Sequence, residues 1–503
     1  MTTRRNALQA FAGLAAAPGI LRAKRTPGDK PNLLFLWTDQ QRADSMGAYG
    51  NTRYRVPVWN KLAAECVVFD RCYDAQPVCT PARSCVMTGT WPHQNGCLHN
   101  NIRLRADVKT MPELLDDSSY RTGYMGKWHL GDEIFAQRGF QEWRAIEDGI
   151  YQSYYSEGRD KTARSAYHHF LLSQGYKPDD LKHNAFSRNF ATKVPVEHSK
   201  PSFLAQEAAK FIMKSGNNPW MLYVNTLEPH TPFSSALNDL HTPEEAPLQK
   251  NYPGVPAGPE PEAYKKKRAG FVAGKGEEKG FDLSKPEGWH RMHRNYAGLC
   301  SLVDQAWGRI LWALEASGQL ENTIIVHTSD HGEMMGSHSL MAKSVMYEEA
   351  VRVPFLLRVP FRNQKPHHIA QPVSHIDMVP TLLDLMGKKD VSGLAGQTLT
   401  PALLGKRKPD DVFIEWNREE GANGGPQCRT VVTPDGWKMA VHDTDACMLF
   451  DRNKDPLEMN NLYYKPEHAA TVKKLRAKIE GFQKKNNDKM PMPEMGGAPP
   501  TGA

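Results

Sequence analysis

The chain has 503 residues, with 63 Lys and Arg against 56 Asp and Glu for a formal charge of +7, and 40% hydrophobic and 24% charged residues. That length excludes a mini-scaffold and sets an expectation of about three 150-residue domains, or one large α/β domain with an appendage; the composition excludes global disorder. The charge is too dilute for a nucleic-acid stripe, so no nucleic acid is expected as partner, although basic groups gathered in one cleft would suit an anionic ligand.

Thr3-Arg4-Arg5 precedes a mildly apolar stretch, residues 7–21, with Ala15-Ala16-Ala17 and Ala23 as small-residue cleavage positions. The stretch is too short to span a bilayer. Its paired arginines resemble a twin-arginine export signal, although Asn6-Ala7-Leu8 stands where a Phe usually follows the pair. Residues 1–23 are therefore read as an export signal, with the bacterial periplasm or exterior as destination and no membrane span in the mature protein.

Three β-rich apolar runs follow, residues 32–37, 220–226 and 323–328, and each stops at a polar cluster: Thr38-Asp39-Gln40, Glu228-Pro229-His230 and Ser329-Asp330-His331. They read as buried parallel strands. Functional groups on open α/β sheets collect beyond the carboxyl ends of strands, so the three clusters are expected together at one edge. Leu299, Leu302, Val303, Ala306, Ile310, Ala313 and Leu314 recur at helical spacing, and Gly318 follows as a stop. Residues 242–290, rich in Pro, Gly and charge and carrying Lys265-Lys266-Lys267-Arg268, read as a solvated loop, with a substrate rim as the alternative.

The first unit, 30–405, is expected to be α/β, a large mixed, mostly parallel sheet flanked by helices. A linker then leads to a smaller C-terminal α+β subdomain over 411–485. Its strand candidates are 412–416, 430–433, 437–441 and 448–450, closed by a helix over 467–484. The Met/Pro/Gly-rich tail, 487–503, is expected to lack fixed structure. Eight cysteines, five of them between Cys66 and Cys97, have neither the density of a disulfide scaffold nor the spacing of a zinc site.

Cys79-Thr80-Pro81-Ala82-Arg83, followed by Ser84-Cys85-Val86-Met87-Thr88-Gly89, resembles the C-[ST]-P-[SA]-R…T-G element of the type I sulfatases of the alkaline phosphatase superfamily. In that family the element directs oxidation of the cysteine to formylglycine. The resemblance implies an alkaline phosphatase-like fold and a maturation partner, a formylglycine-generating or anaerobic sulfatase-maturating enzyme. It also implies a nucleophile that can be regenerated. A thiolate sulfated at sulfur has no easy internal route back. A hydrated aldehyde attacks sulfur with one hydroxyl, then loses the proton of the other to expel sulfate. Arg83, one turn on if a helix starts near Pro81, would support the diol by hydrogen bonding and charge.

The diol's deprotonation calls for a divalent cation. Asp39-Gln40 and Asp330-His331 match the family's two metal-ligand pairs, where many members carry Asp-Asp and Asp-Asn. Calcium is the expected ion, with Mg²⁺ or Mn²⁺ as alternatives, since an imidazole ligand suits Mn²⁺ better than Ca²⁺. Gly126-Lys127-Trp128-His129-Leu130-Gly131 matches the family's second strong motif. By resemblance Lys127 binds a sulfate oxygen and the leaving oxygen, and His129 accepts the diol's proton. His230 resembles the sulfate-binding histidine and is a candidate acid for the departing alkoxide; Lys343 completes the cationic clamp. His338 is left open between structural and rim roles.

The resemblance covers roughly residues 30 to 465 and implies hydrolysis of sulfate monoesters, with a sulfated carbohydrate as substrate. Trp143, Tyr151, Tyr154, Tyr155 and His168-His169 are candidates for stacking on sugar rings, or equally for packing loops. Two rival readings stand beside this one. A phosphonate monoester or phosphodiester hydrolase of the same superfamily can share the formylglycine motif and the Asp-Gln/Asp-His set, but not the Lys-Trp-His triplet. A non-catalytic homologue that binds sulfated glycans would keep Cys79 as a thiol.

Overall fold

The computed structural model describes residues 30–148, 154–273, 280–362, 365–388, 390–418 and 425–494. The export-signal reading of residues 1–23, and Tyr151, lie outside the described residues.

The first unit is a nine-stranded sheet of β1 (Asn32–Asp39), β2 (Val67–Tyr73), β3 (Arg121–Gly126), β4 (Glu142–Arg144), β5 (Trp220–Pro229), β6 (Thr323–Ser329), β7 (Arg352–Val353), β8 (Phe355–Arg358) and β9 (His367–Ser374). The order is β4-β3-β5-β1-β6-β8-β2-β7, with β9 also on β2. Strands β4, β3, β5, β1 and β6 are mutually parallel. β8 runs antiparallel to both β6 and β2, so β2 points the same way as β6. The α/β class and the mixed, mostly parallel sheet are as the sequence implies. The three strands read from apolar runs lie side by side at its centre, fully buried as their near-continuous hydrophobicity requires.

Alternate residues of β1 feed two cores. Leu34 and Leu36 join Leu299, Val303, Ala306 and Ile310 on one face; Leu33, Phe35 and Trp37 join Val86, Met87, Trp128 and Val379 on the other. The helices that cover these faces include α1 (Cys79–Thr88), α2 (Lys200–Lys214), α3 (Glu262–Val272) and α4 (Pro286–Ala316). α4 contains the predicted 299–314 stripe but begins far earlier, at a proline in its first turn. Its polar opening turns are held by Trp289, Met292 and His293, all buried. Gly318 sits just past the helix at φ +69°, as a stop requires.

The loop reading of 242–290 holds for 242–261 but is corrected where helices stand, at 262–272 and from 286. α3 carries the basic run, whose last two charges are committed: Arg268 pairs with Glu260 and donates to the His338 carbonyl, and Lys267 donates to the carbonyl of Lys343.

The C-terminal part forms a separate antiparallel sheet, β10 (Val412–Trp416), β11 (Cys428–Val432), β12 (Trp437–His442) and β13 (Met448–Asp451), in that order, with α5 (Ala469–Asn486) packed on it. The chain does not lose structure at 487. Arg429 is buried on β11 and its guanidinium is met by both carboxylate oxygens of Asp488, while Met490 is buried beyond it. A buried cation needs a partner, and that need ties Asp488 to the sheet; residues 495–503 of the expected tail lie outside the described residues. All eight cysteines are buried and free.

Candidate active site

Because β1, β2, β3, β5 and β6 all point one way, their carboxyl ends bring distant residues to one edge. Asp39 closes β1, Lys127 follows β3, His230 follows β5, Asp330 and His331 follow β6, and the turn after β2 leads to Cys79 at the start of α1. Gly126 makes the β3 exit possible. Its φ is +124°, and a Cβ there would lie 1.7 Å from the Asn225 carbonyl oxygen on β5.

Cys79 is buried at the first position of α1. Its Sγ lies 3.2 Å from His331 Nε2, 3.7 Å from Lys127 Nζ and 3.9 Å from Asp39 Oδ1. Arg83, one turn along the same helix, is fully buried and stacked 4.9 Å over Trp37. It bridges Asp39 Oδ2 at 2.7 Å and Asp330 Oδ2 at 2.9 Å, and donates to Asn225 Oδ1 and the Lys127 carbonyl. Lys127 Nζ also meets Asp39 Oδ2, at 2.6 Å. Two cations thus occupy one oxygen of Asp39, leaving Oδ1 to face Cys79 and His331.

Among the described residues, Asp39, Cys79, Asp330 and His331 each offer a ligand-type atom, all within 4.8 Å of one another. The donor set fits a divalent cation. The Gly332 carbonyl can only accept, so His331 Nδ1, 2.9 Å away, carries the proton and Nε2 presents its lone pair to the cluster. Burial lowers His331, but Asp330 and then Cys79 outweigh it and raise its imidazole; a cation among these groups would cancel that pull. Gln40 is oriented by a residue that sequence reading missed. Buried Glu333 accepts from Gln40 Nε2 and from the backbone N–H groups of Met335 and Ala342. The amide oxygen is thereby fixed toward Lys343 Nζ, at 2.5 Å. Glu333 stands three residues after Asp330, but no periodicity or motif marks it.

Burial is the largest influence on Asp39 and would raise it, yet Lys127, His230, Arg83 and His331 together hold its carboxyl well below the usual range. On Cys79, burial and then Asp39 push the thiol up, but Lys127, Lys343 and His331 bring it below its ordinary value. His129 lies well below the usual imidazole range because of burial, then Lys127 and Arg83. Its Nε2 is 2.8 Å from Asn101 Oδ1, and both Trp128 and His129 donate their backbone N–H to Glu133. Asn101 and Glu133 were likewise not legible in advance. His230 is lowered by burial and then Lys343. Its Nδ1 faces the Thr231 carbonyl at 2.8 Å, so Nε2 accepts from Lys343 Nζ at 3.0 Å.

All ten residues singled out from the sequence, Asp39, Gln40, Cys79, Arg83, Lys127, His129, His230, Asp330, His331 and Lys343, are linked by this network or sit on the segments that form it. Of the aromatic candidates, Tyr154 stands beside the site, its ring 6.5 Å from that of His129, and His169 is exposed; the others go elsewhere. Trp143 is buried in a stack with Tyr124 at 4.8 Å, Tyr155 is buried against Phe135, and His168 is buried. His338 is wholly buried and stacked on Tyr347 at 3.9 Å, which makes it structural.

The same architecture occurs in the crystal structure of the phosphonate monoester hydrolase of Agrobacterium radiobacter, with a TM-score of 0.75, 21% identity, and 91% of this chain and 96% of that one covered. At that identity the likeness is one of fold. The family model described as Sulfatase matches residues 31–388, and that described as N-sulphoglucosamine sulphohydrolase, C-terminal, matches residues 336–485. The uncharacterized sulfatase YidJ of Escherichia coli (strain K12) is 31% identical, covering 86% of this chain and 83% of its own. The N-acetylglucosamine-6-O-sulfatase of Bacteroides thetaiotaomicron is 28% identical, covering 92% and 88%. The chain belongs to the sulfatase family and is a sulfuric ester hydrolase.

Proposed function

We propose that the protein hydrolyses sulfate monoesters of a carbohydrate, using a formylglycine made from Cys79, in the periplasm or outside a bacterial cell. The observation that carries the reading is the meeting of Cys79 with Asp39, Lys127 and His331 inside a buried cluster of ligand-type atoms. Similarity to an N-acetylglucosamine-6-O-sulfatase supports the carbohydrate class. The reading requires a maturation enzyme to oxidise position 79 and an export route for the folded chain.

Asp39, Gln40, Asp330 and His331 would hold the divalent cation, calcium by family resemblance, which would lower the pKa of a hydroxyl at position 79 and polarise the sulfuryl group. The hydrated aldehyde supplies the attacking and the expelling hydroxyl. Arg83 holds both carboxylates in place. Lys127 and Lys343 face the site from two sides, where they would neutralise the charge that builds on the sulfuryl oxygens. His129 is neutral at rest, with Asn101 accepting from Nε2, so its other nitrogen is the proton acceptor. We assign proton delivery to the leaving oxygen to His230 and Lys343 as a pair, because the hydrogen of that bond is the one at hand.

Two outcomes test these roles. Lys343→Ala should lower kcat by about 10²-fold, and by about tenfold more on a sugar sulfate than on 4-nitrophenyl sulfate, whose leaving group needs less protonation. Equal losses on the two esters would remove the proton-delivery role. Dialysis against a chelator should abolish turnover and Ca²⁺ should restore it; full activity in protein shown by elemental analysis to be metal-free would refute the cation site. An assay across sugar sulfates, 4-nitrophenyl sulfate and phenyl phosphonate esters tests the class of substrate, since dominant phosphonate turnover would favour the superfamily's other branch.

A further inference from the structure

We propose that Trp416, from the C-terminal sheet, forms the platform of a sugar-binding subsite beside Cys79; this deepens the reading above and rests on it. A cavity of about 360 Å³, within the roughly 300–1,000 Å³ of small-molecule sites, is lined by the loops around Cys79, by α3 and by the C-terminal sheet. Its catalytic-side wall consists of immediate neighbours of the site: Val78 precedes Cys79, Ser344 follows Lys343, and Asn100 accepts the backbone N–H of Thr80. Trp416 and Arg418 line the same cavity from the C-terminal unit, and Lys267, which donates to the Lys343 carbonyl, lines it from α3.

Trp416 is half-buried. It packs against the core that includes Tyr264 and Phe450; Arg429 donates to its carbonyl oxygen at 3.2 Å, but among the described residues no aromatic ring or cation stacks on its indole. A large ring left open toward a cavity forfeits apolar burial unless something covers it. The neighbours fix its position relative to the nucleophile. Glu415 donates its backbone N–H to the Ala75 carbonyl at 2.8 Å, and Asn417 donates its side-chain amide to Gln76 Oε1 at 2.8 Å. The residues on both sides of Trp416 are thus pinned to the segment three and four residues before Cys79. A pyranose suits such a lining: its C–H face is apolar and matches an indole, while its hydroxyls would find polar partners in Asn100, Lys267 and Arg418, which line the same cavity.

The test is steady-state kinetics on N-acetylglucosamine 6-sulfate and galactose 6-sulfate. Trp416→Ala should raise KM by about tenfold or more on whichever is hydrolysed, with kcat within about threefold, and Trp416→Phe should recover most of the loss. Oxidative footprinting of the inert Cys79→Ala protein gives a readout that keeps the tryptophan: either sugar should protect the peptide bearing Trp416. Turnover of a sugar sulfate with KM indifferent to Trp416, or no protection, overturns the subsite alone. Failure of the unsubstituted, matured enzyme to hydrolyse any sulfate ester, 4-nitrophenyl sulfate included, overturns the reading on which it rests.

Discussion

Cys79→Ala should abolish turnover of every sulfate ester, by at least about 10⁴-fold, while leaving the fold and the binding of sulfated sugars intact. The loss is large because no other side chain in the site can supply an attacking and an expelling hydroxyl on one carbon, and nucleophile deletions in other hydrolases cost about 10⁶-fold. The fold should survive because the Cys79 side chain bears little of the packing. It is small, sits at a helix start, and its closest polar contacts belong to groups already held by others: Asp39 by Arg83 and Lys127, His331 by the Gly332 carbonyl. Circular dichroism and the thermal midpoint check the fold, and isothermal titration with a sulfated monosaccharide checks binding. Residual turnover within a hundredfold of the unsubstituted enzyme would mean that another group attacks sulfur.

Arg83 carries the second large effect, and here stability and rate should fall together. Its guanidinium is the one group that touches Asp39, Asp330, Asn225 and the Lys127 carbonyl at once. Arg83→Ala leaves two buried carboxylates without their bridge, an arrangement that costs about 3–5 kcal/mol when one partner of a buried pair is removed. Arg83→Lys should not rescue it, because an ammonium is a single point and cannot hold the two carboxylates in the spread that a planar fork allows. Turnover should drop by at least about 10³-fold in both variants. A Lys variant with the parent's thermal midpoint and rate would show that charge alone, not the fork, organises the site. Lys127→Ala should behave differently. Arg83 still faces Asp39 there, so the rate should suffer more than the stability, which is the order that a role on the sulfuryl oxygens predicts.

The sheet and much of the site were legible in the sequence for one physical reason. Strands buried on both faces must be apolar along their length, so 32–37, 220–226 and 323–328 stood out, and the polar residues that end them had to lie at a common edge. Local motifs did the rest for Cys79, Arg83, Lys127 and His129. What the sequence concealed were the contacts made by residues without periodicity. Glu333 orients Gln40, Asn101 holds His129, and Asp488 anchors a tail that composition alone assigns to disorder. The same limit applied to the basic run on α3: Lys265-Lys266-Lys267-Arg268 reads as solvated charge, yet Lys267 and Arg268 buttress the segment that presents Lys343. Aromatic residues show the limit from the other side. Trp143, legible equally as a sugar platform or as a packing residue, proves to be core, whereas Trp416, read only as the end of a strand, lines a cavity next to Cys79.

The most direct measurement is peptide mass spectrometry of active protein purified from a host that carries a maturation enzyme. The account predicts that the peptide spanning Cys79 has the mass of an aldehyde or its hydrate, and that the fraction so converted rises and falls with specific activity. Fully active protein whose peptide retains the thiol would contradict it.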